Sequence, residues 1–552
     1  MAELKYIEGY PEDMYQLIDR VHQTREKRKG YTPPAMSMQE REEVLQLHPD
    51  YVAGGKRKIS IGQNKGDFGA KPVVDLLEAY PLVSADEVDL SGIDYSVDVL
   101  VIGGGLAGTT ACIWANEKGI DRDKILLVNK LRHGDANSIM AEGGTQAADR
   151  SADSIQRHYL DTMGGGHFTN KPDVLRALVE DAPFIMHWLC ELGAIIDKEE
   201  SGDFVEKWGG GTSIRRLHSC RDYTGLEEFR VIRDEFRSRK IGCIEHFPAI
   251  ELLTDEEGRV SGALLFNLET GEYKVVQAKA TIIATGGFGR LHIRGFPTTN
   301  HYGATADGIV LAYRAGAKLR DVDTVQYHPT GAAYPMQIIG YLLTEKLRSS
   351  GAQPVNIDGE AFVFPLEPRD VEAASFIREC YVHNKGITTP SGLRGVWLDT
   401  PMIEVVNGKG YIEKAFPGMN RMFKRYDMDM AKNPVLVFPT LHYQNGGVET
   451  DPWGHSTVEG LWVAGEVSGG VHGKNRLMGN STLDTMVFGR RSGISVAEYV
   501  KSGKKQGRLT LKHQQRYVEM LKRAEIKPER KSPMLLPEYR GKKALSRRIE
   551  IF

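Results

Sequence analysis

The chain has 552 residues, too many for one practical hydrophobic core, and this length predicts about two to four compact domains. Its 71 basic and 73 acidic residues nearly cancel, so the composition gives no sign of nucleic-acid binding. The 60 glycines cluster in short motifs rather than in linkers, which is typical of backbone turns around a bound cofactor.

The cysteine pattern excludes metal centres built from thiolates. The five cysteines are far apart and form no C-x-x-C pair, so neither an iron–sulfur cluster nor a structural zinc is expected, and we predict no metal site. A metal-based electron carrier would have to lie on another chain. The N-terminus lacks a basic start followed by an apolar stretch, and no run of about 18 apolar residues occurs, which predicts a cytoplasmic protein without membrane insertion.

The chain divides by its hydrophobic pattern. Residues 1–95 are polar and irregular, which indicates either an extension that wraps a neighbour or another subunit, or a partly disordered leader. From Val97 onward, continuous apolar runs alternate with helical patterns, as in α/β proteins with buried parallel strands. These runs are VDVLVI, ILLV, ALLF, ATIIA and LWVA.

A second domain interrupts the first. The strand pattern fades over residues 332–437 and returns afterwards, so we expect a first domain made of residues 96–331 and 438–500. The pattern of residues 501–552 predicts a basic helix followed by a polar tail.

Gly103, Gly105 and Gly108 follow the first strand directly and open an apolar helix. In that context G-x-G-x-x-G indicates a dinucleotide site, with the phosphates near the helix N-terminus. An NAD site usually has an acidic residue after the second strand, but this chain has Asn129 and Lys130. Two later strand–glycine segments, ATGGFGR and AGEVSGG, add the distant walls that a long flavin cofactor needs. Together they favour FAD.

At this point the sequence resembles the flavoprotein subunits of succinate dehydrogenase and fumarate reductase, from about residue 97 to 500. The matching motifs occur in order: VIGGGLAG, MAEGGTQAA, YTG, ATGGFGR, TADG, QYHPTG, LLTEKLR, PRDV, FPTLHYQNGG, AGEVSGGVHGKNRLMGNS and VFGR. The resemblance implies a Rossmann-like FAD-binding α/β domain, an inserted α+β capping domain at 332–437 and a short helical C-terminal tail.

The resemblance also implies roles for individual residues. Beyond the glycine loop, the expected FAD contacts are Asn129, Lys130, Asn137, Ser138, Glu142, Gly143, Gly144, Asp307, Glu466, Ser481 and Thr482. Asp307 has an alternative interpretation as a helix cap. The substrate clamp would contain His328, Thr330, Thr344, His442 and Arg476, and a guanidinium is well shaped for binding a carboxylate.

Proton transfer would fall to Arg369 of PRDV. Glu345 and Arg348 of TEKLR have the spacing of the family's relay, so we hypothesise a chain of Glu345, Arg348 and Arg369 that reprotonates the donor. Without its neighbours, TEKLR would be an ordinary helical salt-bridge pattern, and each histidine would more often be structural.

The sequence departs from the family at informative positions. Asn137 stands where many members attach FAD covalently to a histidine, so the flavin is expected to be noncovalent, which favours fumarate reduction. His133 is a less favoured substitute for that attachment. Glu142 replaces the family's glutamine, a change that touches substrate preference. The family's long C-terminal helical region is almost absent, which leaves open how an iron–sulfur partner docks.

The favoured hypothesis is an FAD-dependent oxidoreductase that interconverts fumarate and succinate by hydride transfer at flavin N5. It would exchange electrons with an iron–sulfur subunit, and a membrane or other redox subunit could follow at the inner face of the membrane. Two alternatives remain: an amino-acid oxidase like L-aspartate oxidase, which shares the fold and the dicarboxylate clamp, and a flavin-carrying electron-transfer subunit without substrate turnover.

Overall fold

The predicted α/β organisation is confirmed in the first domain. A computed structural model describes residues 9–52, 54–539 and 548–552. A seven-stranded sheet has the order Gly242–Ile244, Ile125–Val128, Tyr95–Ile102, Tyr273–Ile283, Val260–Phe266 and Ala249–Thr254, and Leu461–Val463 also pairs with Tyr273–Ile283. Every predicted apolar run lies in one of these strands. The last four residues of Tyr95–Ile102 are all buried, as expected for a strand covered on both faces.

Helices cover the sheet and position its loops. The α-helices of the described ranges are Glu12–Arg28, Met38–Leu45, Lys71–Leu77, Leu106–Glu117, Ile155–Gly165, Pro172–Glu191, Thr224–Ser238, Asp307–Arg314, Lys346–Ser349, Arg369–Ile377, Pro401–Asn407, Tyr411–Ala415, Pro417–Lys424, Asn480–Lys501 and Lys512–Arg523. Asn480–Lys501 packs closely on Leu106–Glu117, since a Cβ at Gly489 would lie 2.5 Å from the Ala107 carbonyl oxygen. This contact brings the C-terminal motifs next to the glycine loop.

Short strand pairs tie the loops together. They are formed by Lys56–Lys58, Phe68–Ala70, Tyr80–Pro81, Thr145–Gln146, Leu217–His218, Leu319–Arg320, Gly447–Glu449, Ser468–Gly469 and Lys531–Ser532.

A five-stranded antiparallel sheet forms the centre of the inserted region. Its strands pair in the order Val325–Ala332, Val435–Gln444, Arg394–Asp399 and Gln353–Val355, with Ile387–Thr388 also paired to Arg394–Asp399. The two longest strands extend beyond both ends of the predicted insertion at 332–437 and pair with each other. The connection between the domains is therefore part of this sheet.

The described part of the N-terminal extension packs against its own chain. Met14, Ile18 and Val21 of helix Glu12–Arg28 are buried in the same core as Trp397 of the second sheet. At the end of this helix, Arg25 and Arg28 both pair with the buried carboxylate of Asp399, at 2.7 and 2.8 Å. The extension is thus an integral layer of the inserted region.

The C-terminal segment also folds back on the molecule. The predicted basic helix is shorter than expected and spans Lys512–Arg523. The strand Lys531–Ser532 after it runs parallel to Tyr80–Pro81 of the N-terminal extension. None of the helices in the described ranges combines the length and apolar character that a bilayer crossing requires.

Replacing Asp399 by Asn should loosen helix Glu12–Arg28, because two guanidinium groups would lose their shared carboxylate. Breaking a buried ion pair costs about 3 kcal/mol, which corresponds to roughly 100-fold faster amide exchange through local opening. Hydrogen–deuterium exchange with mass spectrometry measures this rate. Asp19 is exposed on the same helix, so Asp19→Asn is the matched control. Equal exchange in wild type and Asp399→Asn would contradict the role of the pair.

Candidate active site

The glycine loop forms one end of an elongated cavity. Residues 103–105 line it, and Gly105 is the N-cap of helix Leu106–Glu117. Gly103 has a φ of 110°, and a Cβ there would lie 2.3 Å from the Ala284 carbonyl oxygen. A Cβ at Gly108 would lie 1.9 Å from the Gly103 carbonyl oxygen. Side chains are therefore excluded where a phosphate would approach the helix N-terminus.

Asn129 and Lys130 line the same cavity after the second strand. Lys130 Nζ donates to Asp307 Oδ2 at 2.6 Å and to Thr305 Oγ1 at 2.7 Å. The helix-cap interpretation of Asp307 is wrong, because Asp307 is the first residue of its helix and its carboxylate binds these two side chains instead. The Lys130–Asp307 pair fixes this part of the wall.

Asn137, Ser138 and Glu466 line both this cavity and a second one. Asn137 Nδ2 donates to Glu466 Oε2 at 3.0 Å, and Ser138 Oγ accepts from the Leu106 backbone N–H at 3.1 Å. Burial raises the pKa of Glu466. Since these residues bound both spaces, the two cavities form one extended site.

His133 does not line either cavity. Its ring packs edge-on against Phe229 and Phe236, and its Nε2 lies 3.0 Å from Thr109 Oγ1. The ring is therefore held away from the cavity walls, which argues against His133 as an attachment point.

The second cavity, of about 560 Å³, brings most of the predicted site residues together. Its walls include Glu142, Gly143, Gly144, His328, Thr344, Glu345, Arg369, His442, Arg476, Ser481 and Thr482. Ser481 and Thr482 lie in the first turn of helix Asn480–Lys501, whose N-terminus favours negative charge. Residues separated by more than 300 positions in sequence thus share one cavity.

The predicted relay residues form a connected chain. Arg369 Nε donates to Glu345 Oε2 at 2.8 Å, and Arg348 Nη2 lies 3.5 Å from the same oxygen. The Gly210 backbone N–H donates to the other Glu345 oxygen, and Arg348 also pairs with Glu372. Burial raises the pKa of Glu345, but Arg369 and Arg348 outweigh it and lower that pKa overall. Glu345 is therefore a buried carboxylate between two cations.

Gln326 joins the two arginines of the cavity. Its Oε1 accepts from Arg369 Nη1 and from Arg476 Nη2, both at 3.0 Å. Its Nε2 donates to the Arg476 carbonyl oxygen at 2.6 Å, which fixes the orientation of the amide. One neutral side chain thus holds two buried guanidinium groups side by side.

The electrostatics of the cavity favour an anion. Burial lowers the pKa of Arg369, and burial together with Arg369 lowers the pKa of Arg476 to about 9. Both groups remain charged near pH 7. Burial, reinforced by Arg369, lowers the pKa values of His328 and His442 far below the ordinary value, so both imidazoles are neutral. The cavity therefore offers two cations and two neutral donors.

Thr330 is not on the cavity wall, in contrast to its predicted place in the clamp. Its hydroxyl donates to the Leu343 carbonyl oxygen at 2.7 Å. Its backbone N–H donates to His328 Nδ1 at 3.2 Å, which leaves the imidazole proton on Nε2. Thr330 therefore positions His328 instead of facing a ligand.

Glu142 presents a carboxyl group to the cavity opposite the predicted clamp. Its Oε1 accepts from the Tyr341 hydroxyl at 3.1 Å, whereas Oε2 has no partner among the described residues. Burial raises the pKa of Glu142 well above its ordinary value. Tyr341, Gln326 and Thr299, which lies 2.7 Å from His442 Nδ1, were missed by the sequence analysis. Only Gln326 had a signal, because it begins the QYHPTG motif.

The joined cavities fit an extended dinucleotide, because a cradle without side chains lies at one end and polar walls continue to the other. A family model described as an FAD binding domain matches residues 98–482. The fold and site therefore define an FAD-binding flavoprotein and an FAD-dependent oxidoreductase.

Individual proteins narrow the family. The first subunit of the fumarate reductase (CoM/CoB) of Methanothermobacter marburgensis is 37% identical over 446 residues, which are 79% of each chain. L-aspartate oxidase of Streptomyces coelicolor is 34% identical, covering 73% of this chain and 68% of that protein. A variant of the quinol fumarate reductase of E. coli superimposes with a TM-score of 0.69 at 28% identity, covering 78% of this chain and 74% of that chain. The chain belongs to the family of succinate dehydrogenase and fumarate reductase flavoprotein subunits.

Proposed function

We propose that this flavoprotein interconverts fumarate and succinate, with reduction favoured. The observation that carries the proposal is the pair of buried arginines, Arg369 and Arg476, held by Gln326 beside two neutral histidines. Two adjacent cations in a buried cavity repel each other, and a dianionic ligand offsets that repulsion. Guanidinium groups also match carboxylates in shape.

Binding and orientation are assigned to the clamp. Arg476 would hold one carboxylate, and the Nε2–H of His328 and the side chain of His442 would donate to the ligand. Thr344 lines the same space. Bound FAD supplies the two electrons to fumarate as a hydride. The cations of the cavity then stabilise the negative charge that develops on the substrate.

Arg369 is the proposed proton donor. Its guanidinium lies on the cavity wall and contacts Glu345 directly, at 2.8 Å. Burial lowers the pKa of Arg369, which makes proton release easier than from an exposed arginine. Glu345, lying between Arg369 and Arg348, would return the proton after each turnover.

FAD is proposed to be noncovalent. Asn137 is on the wall of both cavities and binds Glu466, while His133 packs against phenylalanine rings. Neither offers an imidazole to the cofactor. The absence of a covalent link tends to lower the flavin potential, which supports reduction as the favoured direction.

Electrons are proposed to come from an iron–sulfur subunit, with a membrane or other redox subunit behind it. The five cysteines are all free, and their spread along the chain offers no cluster ligands. The third candidate, a flavin carrier without turnover, is disfavoured, because Glu345, Arg369, His328, His442 and Arg476 all line one cavity.

L-aspartate oxidation is a second candidate, supported by Glu142. An unpartnered carboxyl oxygen on a cavity built for dicarboxylates would complement the ammonium group of aspartate, which fumarate lacks. The buried, uncharged form that Glu142 favours on its own would ionise beside that cation.

Noncovalent binding predicts that acid precipitation of the protein releases all of its flavin into the supernatant. The absorbance of the supernatant and the pellet measures the distribution. An Asn137→His variant provides the comparison, because it restores an imidazole at the position of attachment. Flavin retained in the pellet of the wild-type protein would contradict the proposal.

The Arg369→Lys variant should keep FAD but lose at least about 100-fold in turnover, the usual contribution of a general acid. The measurement is anaerobic: the flavin is reduced chemically, fumarate is added, and reoxidation is followed by absorbance with succinate identified as product. Arg421→Lys, an exposed residue of the same region, should match wild type. Unimpaired reoxidation in Arg369→Lys would remove Arg369 from the role. Wild-type protein that ignores fumarate would refute the proposed function.

Glu142→Gln separates the two candidate reactions. If aspartate is the substrate, loss of the charge should lower peroxide formation with aspartate by about 10- to 100-fold, the value of a hydrogen bond between charged groups. If fumarate is the substrate, its reduction should change less than about threefold. Glu42→Gln is the control, since Glu42 is exposed. Peroxide formation with aspartate that Glu142→Gln does not affect would exclude Glu142 as the ammonium partner.

A further inference from the structure

A cluster of three side chains outside the active site has the composition of a metal centre. Asp149, Glu206 and His218 each direct one ligand atom to a common space, and these atoms lie within 4.8 Å of one another. His218 Nε2 is 3.2 Å from Asp149 Oδ2 and 3.9 Å from Glu206 Oε1. The cavity of the active site does not include any of the three.

The side chains of the cluster lack the hydrogen bonds that would explain their burial. His218 is fully buried, yet within the described ranges neither of its ring nitrogens has a hydrogen-bond partner. Asp149 Oδ1 and Glu206 Oε1 are also buried and unpartnered there. Buried polar groups without partners are costly, so such a convergence calls for a ligand that satisfies several of them at once.

The backbone holds the three ligands in a fixed arrangement. His218 lies in strand Leu217–His218, which pairs with Thr145–Gln146, and Asp149 follows that second strand. Glu206 precedes Lys207, whose backbone exchanges two hydrogen bonds with Leu217, at 3.0 and 3.2 Å. Three separate segments are thus bound to one another by main-chain hydrogen bonds. Such preorganisation lowers the entropic cost of binding an ion.

We propose that Asp149, Glu206 and His218 bind a first-row divalent cation, Zn²⁺ or Mn²⁺. One imidazole and two carboxylates are ligands that these ions accept, whereas Ca²⁺ and Mg²⁺ prefer oxygen alone. Bonds of about 2.1 Å to a central ion span at most about 4.2 Å. The ligand atoms would therefore close by a few tenths of an ångström, a shift that side-chain rotation provides.

The neighbouring Arg150 is the competing cation. Its Nε lies 3.4 Å from Glu206 Oε1, and 37% of its side chain is exposed. An exposed ion pair of this kind contributes little to stability, so its displacement by a divalent ion is inexpensive. The net charge of two carboxylates and a neutral imidazole favours the doubly charged ion over the single guanidinium.

The site lies where an ion would brace both walls of the active site. A Cβ at Gly144, on the cavity wall, would lie 2.4 Å from the His218 carbonyl oxygen, so the two segments are in direct contact. The segment that begins at Glu206 continues to Gly210, whose N–H donates to Glu345 of the relay. The ion would be structural, since none of its ligands touches the cavity.

Metal binding is tested on the FAD-loaded protein, prepared without a histidine tag and treated with a chelator. Isothermal titration with Zn²⁺ and electron paramagnetic resonance of Mn²⁺ should each show one equivalent bound with micromolar affinity or better. Zn²⁺ should also raise the melting temperature. Absence of stoichiometric binding of both ions would overturn the proposal, whatever the activity of the enzyme.

Two near-isosteric variants locate the ion. Asp149→Asn and Glu206→Gln should each weaken binding by at least about tenfold and abolish the Zn²⁺-dependent rise in melting temperature. Glu200→Gln is the matched control on the same segment, because Glu200 is exposed, and it should bind like wild type. Flavin absorbance verifies that each variant is folded. Wild-type affinity in both Asp149→Asn and Glu206→Gln would show that bound metal lies elsewhere and would overturn the assignment.

Discussion

The arrangement of the active site depends on burying guanidinium groups beside one another. Arg369 and Arg476 share the oxygen of Gln326, while Arg369 and Arg348 share Glu345. Cations removed from water are tolerated only when such partners compensate for lost hydration. Their residual excess charge is what makes the cavity suited to a dianion. The surrounding structure serves to hold these side chains in position.

That requirement explains why two domains meet at the cavity. Arg476 comes from the motif beside the glycine loop, whereas Arg369 begins a helix of the inserted region. Gln326 lies in strand Val325–Ala332, which leads from the first domain into the second sheet. Because that strand is paired along its length with Val435–Gln444, the two arginines are held at a fixed separation. The cofactor cavity joins this space through Asn137 and Glu466.

The N-terminal extension supports the same helix from outside. Val44 and Leu45 pack against Val371 and Ala374 on helix Arg369–Ile377. Glu367, just before that helix, accepts from the Met36 backbone N–H and from Arg41. The extension therefore buttresses the helix that carries the proposed proton donor. In this chain a folded N-terminal layer covers a region whose packing controls the active site.

The sequence by itself determined the features that depend on neighbouring residues. An apolar run followed by G-x-G-x-x-G and an apolar helix must form the strand, turn and helix of a dinucleotide site, since each step follows from local sterics and burial. Short motifs likewise indicated His328, Arg369, Glu345 and Arg476. Only the tertiary structure decided that Thr330 turns away from the cavity, that Gln326 links two arginines, and that residues 9–95, apart from residue 53, pack on their own chain. It alone brought together Asp149, Glu206 and His218. These features rest on contacts between distant segments, for which a single sequence has no local pattern.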